Sequence, residues 1–304
     1  MMTWHSGHSV KQATTAQFLP RLEGVTLIIS SNMSSYEIKR SLGEGSFGEV
    51  FLAKKDGRCY AIKKVRDTDP TARQEINILS SVTHPFIIKY FDHFMERGMM
   101  CIVLEYADKG TFEKLVLGNL NKKEYNVWRA LNNLSSALGY LHALRPKQVL
   151  HRDLKPDNIL GVNSWSKKER KHLIDLKLAD FGVAKLLNRD AQQAYYGAEY
   201  EGVPTYMAPE VYEDYETYSE KSDIWSLGLV MAFYINNGRH VFYTPEEIEY
   251  YTGHEDILDE HVFEEYSQDL LLLVFRMLHP DPNLRPTAFE VKSETLLYRR
   301  QDIS

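Results

Sequence analysis

Cysteine is scarce in this chain, which carries only Cys59 and Cys101 among its 304 residues. Two cysteines cannot build a disulfide framework, and such low usage is typical of a reducing compartment. The N-terminus also lacks the basic start and apolar core of a secretion signal. We therefore expect a cytoplasmic protein, with nuclear or cytoskeletal association left open.

Long apolar runs and an excess of basic charge are missing as well. No apolar stretch approaches the ~20 residues that a membrane-spanning helix needs, so no membrane partner is expected. The formal net charge is −6, which gives no reason to expect nucleic acid as a partner. The 43% hydrophobic and 26% charged residues are typical of a globular protein with ample material for a core.

The pattern along the chain predicts an extension followed by a small β-rich lobe. Residues 1–35 are rich in Ser, Thr and His around one apolar patch, so we expect either a disordered arm or a short strand docked on the body. Residues 36–106 contain five strand-like runs separated by turn residues. One helix interrupts them, with Asp69 as its cap and Pro70 in its first turn.

Residues 107–300 predict a larger, mainly α-helical lobe. Apolar residues recur there at three- and four-residue steps, most clearly in segments 125–144, 221–238 and 267–280. Segment 161–172 is an unusually long polar connection, which we expect to be a solvent-exposed hairpin loop. The predicted architecture is thus α+β, with two lobes.

A glycine-rich run lies between the first two strand-like segments: Gly43, Glu44, Gly45, Ser46, Phe47, Gly48, Glu49 and Val50. Glycines at this spacing let backbone N–H groups approach phosphate without a Cβ in the way. In a dinucleotide-binding turn a helix would follow, whereas here the chain continues as a strand. The run therefore favours a phosphate-covering lid between antiparallel strands, with a merely flexible hairpin as the alternative.

The next strand carries a lysine that can face such a phosphate site. Because side chains alternate along a strand, Lys63 and Ile62 point to opposite faces. We expect Lys63 to face the nucleotide, and Lys64 to be an ordinary solvated lysine. Glu75, on the predicted helix, is the acid we pair with Lys63, although spacing alone would also fit a surface glutamate.

The run His151-Arg152-Asp153-Leu154-Lys155-Pro156-Asp157-Asn158 decides between these alternatives. With the glycine run, Asp180-Phe181-Gly182 and Ala208-Pro209-Glu210 in the same order, the chain resembles the eukaryotic protein kinases over about residues 36–300. The resemblance implies the bilobal protein kinase fold, with a five-stranded sheet plus one helix in the N-lobe (36–106) and a mainly helical C-lobe (107–300). It also implies ATP and Mg²⁺ as cofactors and protein substrates as partners.

The resemblance assigns chemical roles residue by residue. Asp153 would orient the substrate hydroxyl and accept its proton, while Lys155 would neutralise the transferring phosphoryl group. Asn158 and Asp180 would hold magnesium through oxygen atoms. Lys63, held by Glu75, would anchor the α- and β-phosphates under the glycine-rich lid.

The adenine pocket follows by the same resemblance. Leu104 would gate its back, and the backbone of Glu105 and Ala107 would hydrogen-bond adenine. The remaining nucleotide-binding residues are Leu42, Gly43, Glu44, Gly45, Ser46, Gly48, Val50, Ala61 and Leu160.

Several residues refine the resemblance. Lys155 is typical of kinases that act on serine and threonine, since tyrosine kinases usually lack it. Segments 127–160 and 202–210 are most similar to the NIMA-related kinases. Glu210 and Arg285 match a buried ion pair that, in this family, fixes the end of the activation segment. Asp223 and Trp225 match the helix that supports the catalytic loop. We interpret these four as scaffold residues.

The activation segment departs from the family pattern, since residues 184–203 contain no serine or threonine. The position where relatives carry a phosphorylated residue is Glu199, whose carboxylate could bond to Arg152 without modification. The alternative is a solvated glutamate, with Tyr195, Tyr196 and Tyr200 as the switches.

Two further departures concern catalysis and nucleotide binding. Val203 replaces a threonine whose hydroxyl normally bridges the catalytic aspartate and lysine, and Thr111 replaces an acid that contacts the ribose.

The complete catalytic set favours an active serine/threonine kinase, and Val203 favours the alternative, a kinase-fold scaffold with little phosphotransfer. A long activation segment ending in Ala-Pro-Glu counts against a small-molecule kinase.

Overall fold

A computed structural model gives the fold of this chain. It describes residues 28–31, 34–45, 48–118, 120–166, 170–188, 205–214, 217–242, 247, 258 and 260–301.

An antiparallel sheet forms the N-terminal lobe, with the strand order β1-β2-β3-β4-β6-β5. Its strands are β1 (Ile28–Ser31), β2 (Ser34–Gly45), β3 (Gly48–Lys55), β4 (Arg58–Arg66), β5 (Tyr90–Glu96) and β6 (Met99–Glu105). The five strands predicted from the sequence are all present. The sixth, β1, comes from the N-terminal extension and pairs with β2.

Strand β1 pairs with β2 and also contacts β5, at the opposite edge of the sheet. The sheet is therefore strongly curled and has a small core of its own on one face, made of Tyr36, Ile38, Ala53, Ile62, Cys101 and Val103. The other face of β4 presents Ala61 and Val65 to the main core of the molecule. Lys63 lies between these two residues and shares their face, as the alternation along the strand predicts.

Helix α1 (Pro70–Leu79) packs beneath the sheet. Asp69 caps it by accepting a hydrogen bond from the amide of Thr71 at 2.9 Å, and Pro70 occupies the first turn, as predicted. The helix ends at Leu79, and Val82, in the segment that follows it, is also buried. Its buried face includes Glu75 and Ile76, which places an acid beside the strand that carries Lys63.

The C-terminal lobe is mainly helical. Its helices are α2 (Phe112–Leu117), α3 (Glu124–Ala143), α4 (Pro209–Glu213), α5 (Glu220–Ile235), α6 (Glu260–Glu265), α7 (Gln268–Met277) and α8 (Ala288–Gln301). Helix α5 is apolar on all sides and lies at the centre of the lobe, with α3 and α7 packed against it. None of the described helices combines the length and apolarity that a bilayer span requires.

Short strands carry the loops of the cleft. β7 (Gly110–Thr111), β9 (Ile159–Ser166) and β10 (Lys171–Leu178) form one small sheet, and β8 (Lys147–Leu150) pairs with β11 (Lys185–Asn188). The expected loop at 161–172 is instead largely paired, because β9 and β10 stay in register from Ile159–Leu178 out to Ser166–Lys171. A 3₁₀ turn, Pro156–Asn158, leads directly into β9.

Candidate active site

Lys63 joins the two lobes at the back of the cleft. Its Nζ donates to Glu75 Oε2 at 2.7 Å and to Asp180 Oδ1 at 3.0 Å. Glu75 is buried, so it is not the surface glutamate that spacing alone allowed. The predicted Lys63–Glu75 pair is thus formed, and Asp180 is its second partner.

The electrostatics of this group favour the ionised state of lysine. Burial works to lower the pKa of Lys63, but the charges of Glu75 and Asp180 outweigh it, and the pKa is raised. Burial likewise works to raise the pKa of Asp180, but the charge of Lys63 and its hydrogen bond prevail, and the pKa is lowered. A positive charge is therefore fixed where an anionic ligand would meet it.

Asp153, Lys155 and Asn158 meet in the catalytic loop. Lys155 Nζ donates to both carboxylate oxygens of Asp153, at 3.0 and 2.8 Å. Asn158 Nδ2 donates to the carbonyl of Asp153 at 2.8 Å and to its Oδ2 at 2.7 Å. These bonds hold the Asp153 carboxylate in one orientation, beside a lysine that can neutralise negative charge.

Asp223, at the start of α5, supports this loop from below. Its carboxylate accepts the backbone amides of His151 at 3.0 Å and Arg152 at 3.1 Å, together with the hydroxyl of Tyr218 at 2.6 Å. The φ of Arg152 is +69°, a left-handed conformation that costs energy for a non-glycine residue. The hydrogen bonds from these two amides to the buried carboxylate hold the backbone in this conformation.

The Asp180-Phe181-Gly182 turn is held against the catalytic loop. The amide of Ala179 donates to the carbonyl of Asn158 at 2.9 Å, and His151 Nε2 donates to the carbonyl of Ala179 at 3.1 Å. Phe181 is fully buried, with its ring 4.9 Å from that of His151. These contacts bring Asp180 to the segment that ends in Asn158.

The donor set at this junction fits magnesium. Both amide hydrogen bonds of Asn158 go to Asp153, which leaves the amide oxygen of Asn158 as its atom for a cation. Asp180 contributes a carboxylate whose lowered pKa keeps it ionised. Hard divalent cations prefer oxygen ligands of this kind.

The predicted adenine-pocket residues belong to one apolar cluster. Ala61 and Leu104 are buried partners across β4 and β6, and Leu42, Val50, Ala107 and Leu160 pack against the same core. The backbone amide of Glu105 donates to the carbonyl of Lys89 at 2.8 Å. Because that amide is engaged, the predicted hydrogen bond from Glu105 to adenine would have to use the carbonyl of Glu105.

The glycine-rich run forms the tip of the β2–β3 hairpin, where Gly43 faces Val50, Glu44 faces Glu49 and Gly45 faces Gly48. The φ of Gly48 is +137°, and a Cβ there would lie 2.1 Å from the carbonyl oxygen of Lys64, so only glycine fits. A Cβ on Gly43, by contrast, would meet open space. Ser46 lies outside the described residues.

The scaffold pair predicted from the resemblance is also formed. Arg285 is buried and donates to both carboxylate oxygens of Glu210 at 2.8 Å each, with its guanidinium over the ring of Trp225. Glu199 and Val203, together with the three candidate tyrosines, lie outside the described residues.

The sequence analysis missed the structural roles of two residues, Thr111 and Lys64. Thr111 caps α2, since its hydroxyl accepts the amide of Lys114 at 3.3 Å, and threonine at an N-cap is a signal that the sequence offered. Lys64 is bonded to Glu96 at 2.8 Å and lies near the ring of Phe51, so it is not simply solvated. Lys64 and Glu96 lie on strands that are distant in sequence, so no local sequence pattern predicts their contact.

The two-lobed fold and this cleft define a family. The chain belongs to the protein kinase domain family, which matches residues 36–297.

Its relatives include several NIMA-related (Nek) kinases. "Serine/threonine-protein kinase Nek6" of Oryza sativa subsp. japonica is 35% identical over 271 residues, which are 85% of this chain and 47% of the relative. "Probable serine/threonine-protein kinase nek3" of Dictyostelium discoideum is 32% identical over 276 residues, 85% of this chain and 23% of the relative. "Serine/threonine-protein kinase nekl-2" of Caenorhabditis elegans is 31% identical over 287 residues, 87% and 75% respectively.

These matches confirm the resemblance to NIMA-related kinases. The chain spans less than half the length of the first two of these relatives.

Proposed function

We propose that this chain transfers the γ-phosphoryl group of ATP to a serine or threonine hydroxyl of a protein substrate. The observation that carries the proposal is the Asp153 carboxylate, which Lys155 and Asn158 hold. The carbonyl of Asn158 in turn accepts the amide of Ala179, the residue before the Asp180 that Lys63 contacts. In phosphoryl transfer the protein mainly positions groups and neutralises charge, and this arrangement supplies both.

Each residue has a defined part in the reaction. Asp153 orients the substrate hydroxyl and accepts its proton as the hydroxyl oxygen attacks the γ-phosphorus. The bond from the γ-phosphorus to the bridging oxygen of the β-phosphate breaks, and ADP leaves. Lys155, 2.8 Å from Asp153, neutralises charge on the transferring group. Lys63 binds the α- and β-phosphates. Magnesium, bound through Asn158 and Asp180, would neutralise charge on the phosphates.

Radiolabelled ATP with generic protein substrates tests this proposal. We expect wild-type protein to label the substrate on serine or threonine, and Asp153→Asn to abolish the label while the fold is retained. Phosphotyrosine in the hydrolysate would contradict the substrate class. Label with both proteins, or with neither, would contradict the enzymatic role.

A kinase-fold scaffold that binds partners without efficient phosphotransfer is the second candidate. Val203 favours it, because valine cannot supply the hydroxyl bridge expected between Asp153 and Lys155. In this structure Lys155 contacts Asp153 directly, so the two groups are joined without that bridge. Absence of label with folded, ATP-binding wild-type protein would favour the scaffold.

We also propose that the kinase needs no phosphorylation of serine or threonine in its activation segment, because Glu199 supplies the negative charge for Arg152. Arg152 and Lys185 form a basic spot: burial and the charge of Arg152 together lower the pKa of Lys185. A carboxylate is the anion that residues 184–203 can place there without modification by a serine/threonine kinase.

The test compares Glu199→Ala with the neighbouring Glu201→Ala, each before and after phosphatase treatment. We expect Glu199→Ala to lower activity and Glu201→Ala to leave it unchanged, with phosphatase affecting neither wild type nor variants. Unchanged activity of Glu199→Ala together with loss of wild-type activity after phosphatase would refute the proposal.

We propose a cytoplasmic location on the basis of cysteine use, since Cys59 and Cys101 are both free thiols. Subcellular fractionation of cells that make the protein tests this, and recovery in a secreted fraction would contradict it.

A further inference from the structure

Glu105, the last residue of β6, is held through both its backbone and its side chain. Its amide donates to the carbonyl of Lys89 at 2.8 Å, and its Oε2 accepts the amide of Lys89 at 3.1 Å. The same Oε2 accepts Nζ of Lys177 at 2.8 Å. The family resemblance uses only the backbone of Glu105, so its carboxylate and Lys177 have no part in the proposed reaction.

The Lys177–Glu105 pair is partly sheltered from solvent. The side chain of Lys177 is 13% exposed and that of Glu105 is 27% exposed. Partly buried charges are screened less by salt than exposed ones, and a hydrogen bond between two charged groups is stronger than a neutral one. The bond can therefore hold the Glu105 side chain in one place.

The strand β10 fixes the direction of the Lys177 side chain. Its neighbours Leu176 and Leu178 are buried, so the alternation along the strand places Lys177 on the opposite face. Across the hairpin Lys177 pairs with Leu160, which packs against the same core as the other predicted adenine-pocket residues. Lys177 thus reaches Glu105 from a strand that is itself well anchored.

From Lys177 to Asp180, four successive residues each bind a different segment of the chain. Their partners, in order, are the Glu105 carboxylate, the backbone of Phe86 and Ile88, the carbonyl of Asn158 and the side chain of Lys63. The strand that carries Asp180 to the predicted metal site therefore also holds the predicted adenine site. The two ends of the nucleotide would be positioned by one element.

The carbonyl of Glu105 is the group that the predicted hydrogen bond to adenine would use. Adenine carries an amino group at the 6-position, which donates, whereas guanine carries an oxygen there, which accepts. A carbonyl held in one direction therefore favours adenine and disfavours guanine. With the amide and the carboxylate of Glu105 both bonded, its backbone has little freedom to turn, so this preference is built in before the nucleotide binds.

We propose that Lys177 is a positioning residue for adenine recognition: it holds the Glu105 carboxylate and so directs the Glu105 carbonyl at the 6-amino group of the base. The inference rests on the nucleotide site of the proposed function and adds a residue to it. Because Lys177 acts through Glu105, its removal changes the choice of base rather than the binding of the phosphates.

Equilibrium binding of ADP and GDP, each labelled on the ribose with a fluorophore, tests this in the presence of Mg²⁺ and needs no phosphotransfer. Lys177→Met removes the charge, and Lys177→Arg keeps it. Glu105→Gln keeps an acceptor for the amide of Lys89 but loses the charge that faces Lys177. Lys171→Met is the matched control, since it makes the same change at the exposed far end of the same strand.

We expect Lys177→Met to raise the Kd of ADP by about three- to tenfold, as loss of one hydrogen bond does, and to change the Kd of GDP by less than about twofold. The ratio of the GDP and ADP Kd values should therefore fall by about three- to tenfold. Lys177→Arg and Lys171→Met should keep the wild-type ratio. Glu105→Gln should lower the ratio as Lys177→Met does, and the double variant should lower it no further, because the two residues act as one unit.

An unchanged ratio in folded Lys177→Met would overturn the proposal, and so would a wild-type protein that binds ADP and GDP equally. Equal weakening of both nucleotides would overturn it as well, because it would mean a general loosening of the fold. Faster release of both nucleotides with a higher kcat would assign the pair to restraint of lobe opening instead. If Lys177→Met does not fold, Glu105→Gln gives the same comparison.

The test separates this inference from the proposed reaction. A ratio that falls in Lys177→Met, when the wild type transfers no phosphate, would support the role of Lys177 and contradict the reaction. Phosphate transfer by a wild type whose ratio is unaffected by Lys177→Met would support the reaction and contradict the role of Lys177.

Discussion

The Glu210–Arg285 pair allows a quantitative test of the packing around the activation segment. Arg285 is 2% exposed, and besides Glu210 it donates to the carbonyls of His279, Lys221 and Pro280 at 2.7, 3.1 and 3.0 Å. Glu210→Gln keeps the shape but leaves the guanidinium buried without its counter-charge. Breaking a buried pair in this way costs about 3–5 kcal/mol.

The chain offers a matched control in the pair Arg276–Glu294. Its atoms are 2.6 Å apart, but the two side chains are 49% and 31% exposed. An exposed pair contributes only about 0.2–1 kcal/mol, so Glu294→Gln should have a small effect. The two variants make the same chemical change and differ in burial.

Thermal unfolding followed by circular dichroism measures the difference. At about 2–4 °C per kcal/mol for a domain near this size, Glu210→Gln should lower the Tm by about 6–20 °C and Glu294→Gln by no more than about 4 °C. Equal shifts for the two variants would refute the argument from burial, as would a Glu210→Gln protein with the wild-type Tm.

Three further predictions concern the cleft. Lys63→Met should lower kcat by about 10²–10³, as loss of one preorganised charge contact does, while Lys64→Met should not; similar rates for the two variants would contradict the assignment. Asp223 has a lowered pKa, because its bonds to His142 and Tyr218 and the nearby His151 outweigh the opposing effect of burial. The ionised Asp223 therefore stabilises the fold at neutral pH, and this stabilisation is lost as the pH falls below about 3.9, the pKa of an aspartate in the unfolded chain. Asp223→Asn should lower the Tm at neutral pH and make the fall of the Tm at acid pH less steep. An equally steep fall in the variant would contradict this. Thr111→Asp should keep the cap of α2 and lower KM for ATP by about two- to tenfold through one added contact to the ribose, and an unchanged KM would contradict the proposed position of the sugar.

The sequence predicts the elements whose signals are local. Asp69 and Pro70 announce the start of α1, and the apolar spacing in 125–144 predicts α3 to within a residue at each end. The Lys63–Glu75 pair follows from strand alternation combined with the family resemblance. The scaffold bond of Arg285 to Glu210 follows from the resemblance alone.

Contacts between distant segments escape sequence reasoning. The bond from Lys63 to Asp180 spans 117 positions, and the one from Lys64 to Glu96 depends on how two strands are placed in the sheet. The edge strand Ile28–Ser31 was only one of two alternatives, since a short apolar patch does not specify its pairing partner. A cavity in the C-terminal lobe is lined by Phe112, Ala130, Leu176 and Tyr234, which come from four different elements, and no periodicity in the sequence predicts where packing leaves such a gap.

The proposed function requires Lys63, Asp153 and Asp180 to converge on one triphosphate and its metal. A crystal structure with a non-hydrolysable ATP analogue and Mg²⁺ tests this most directly. We expect Lys63 to contact the α- and β-phosphates, Asn158 and Asp180 to bind the metal, and the Asp153 carboxylate to face the γ-phosphate. An analogue bound elsewhere, or a metal held without Asp180, would contradict it.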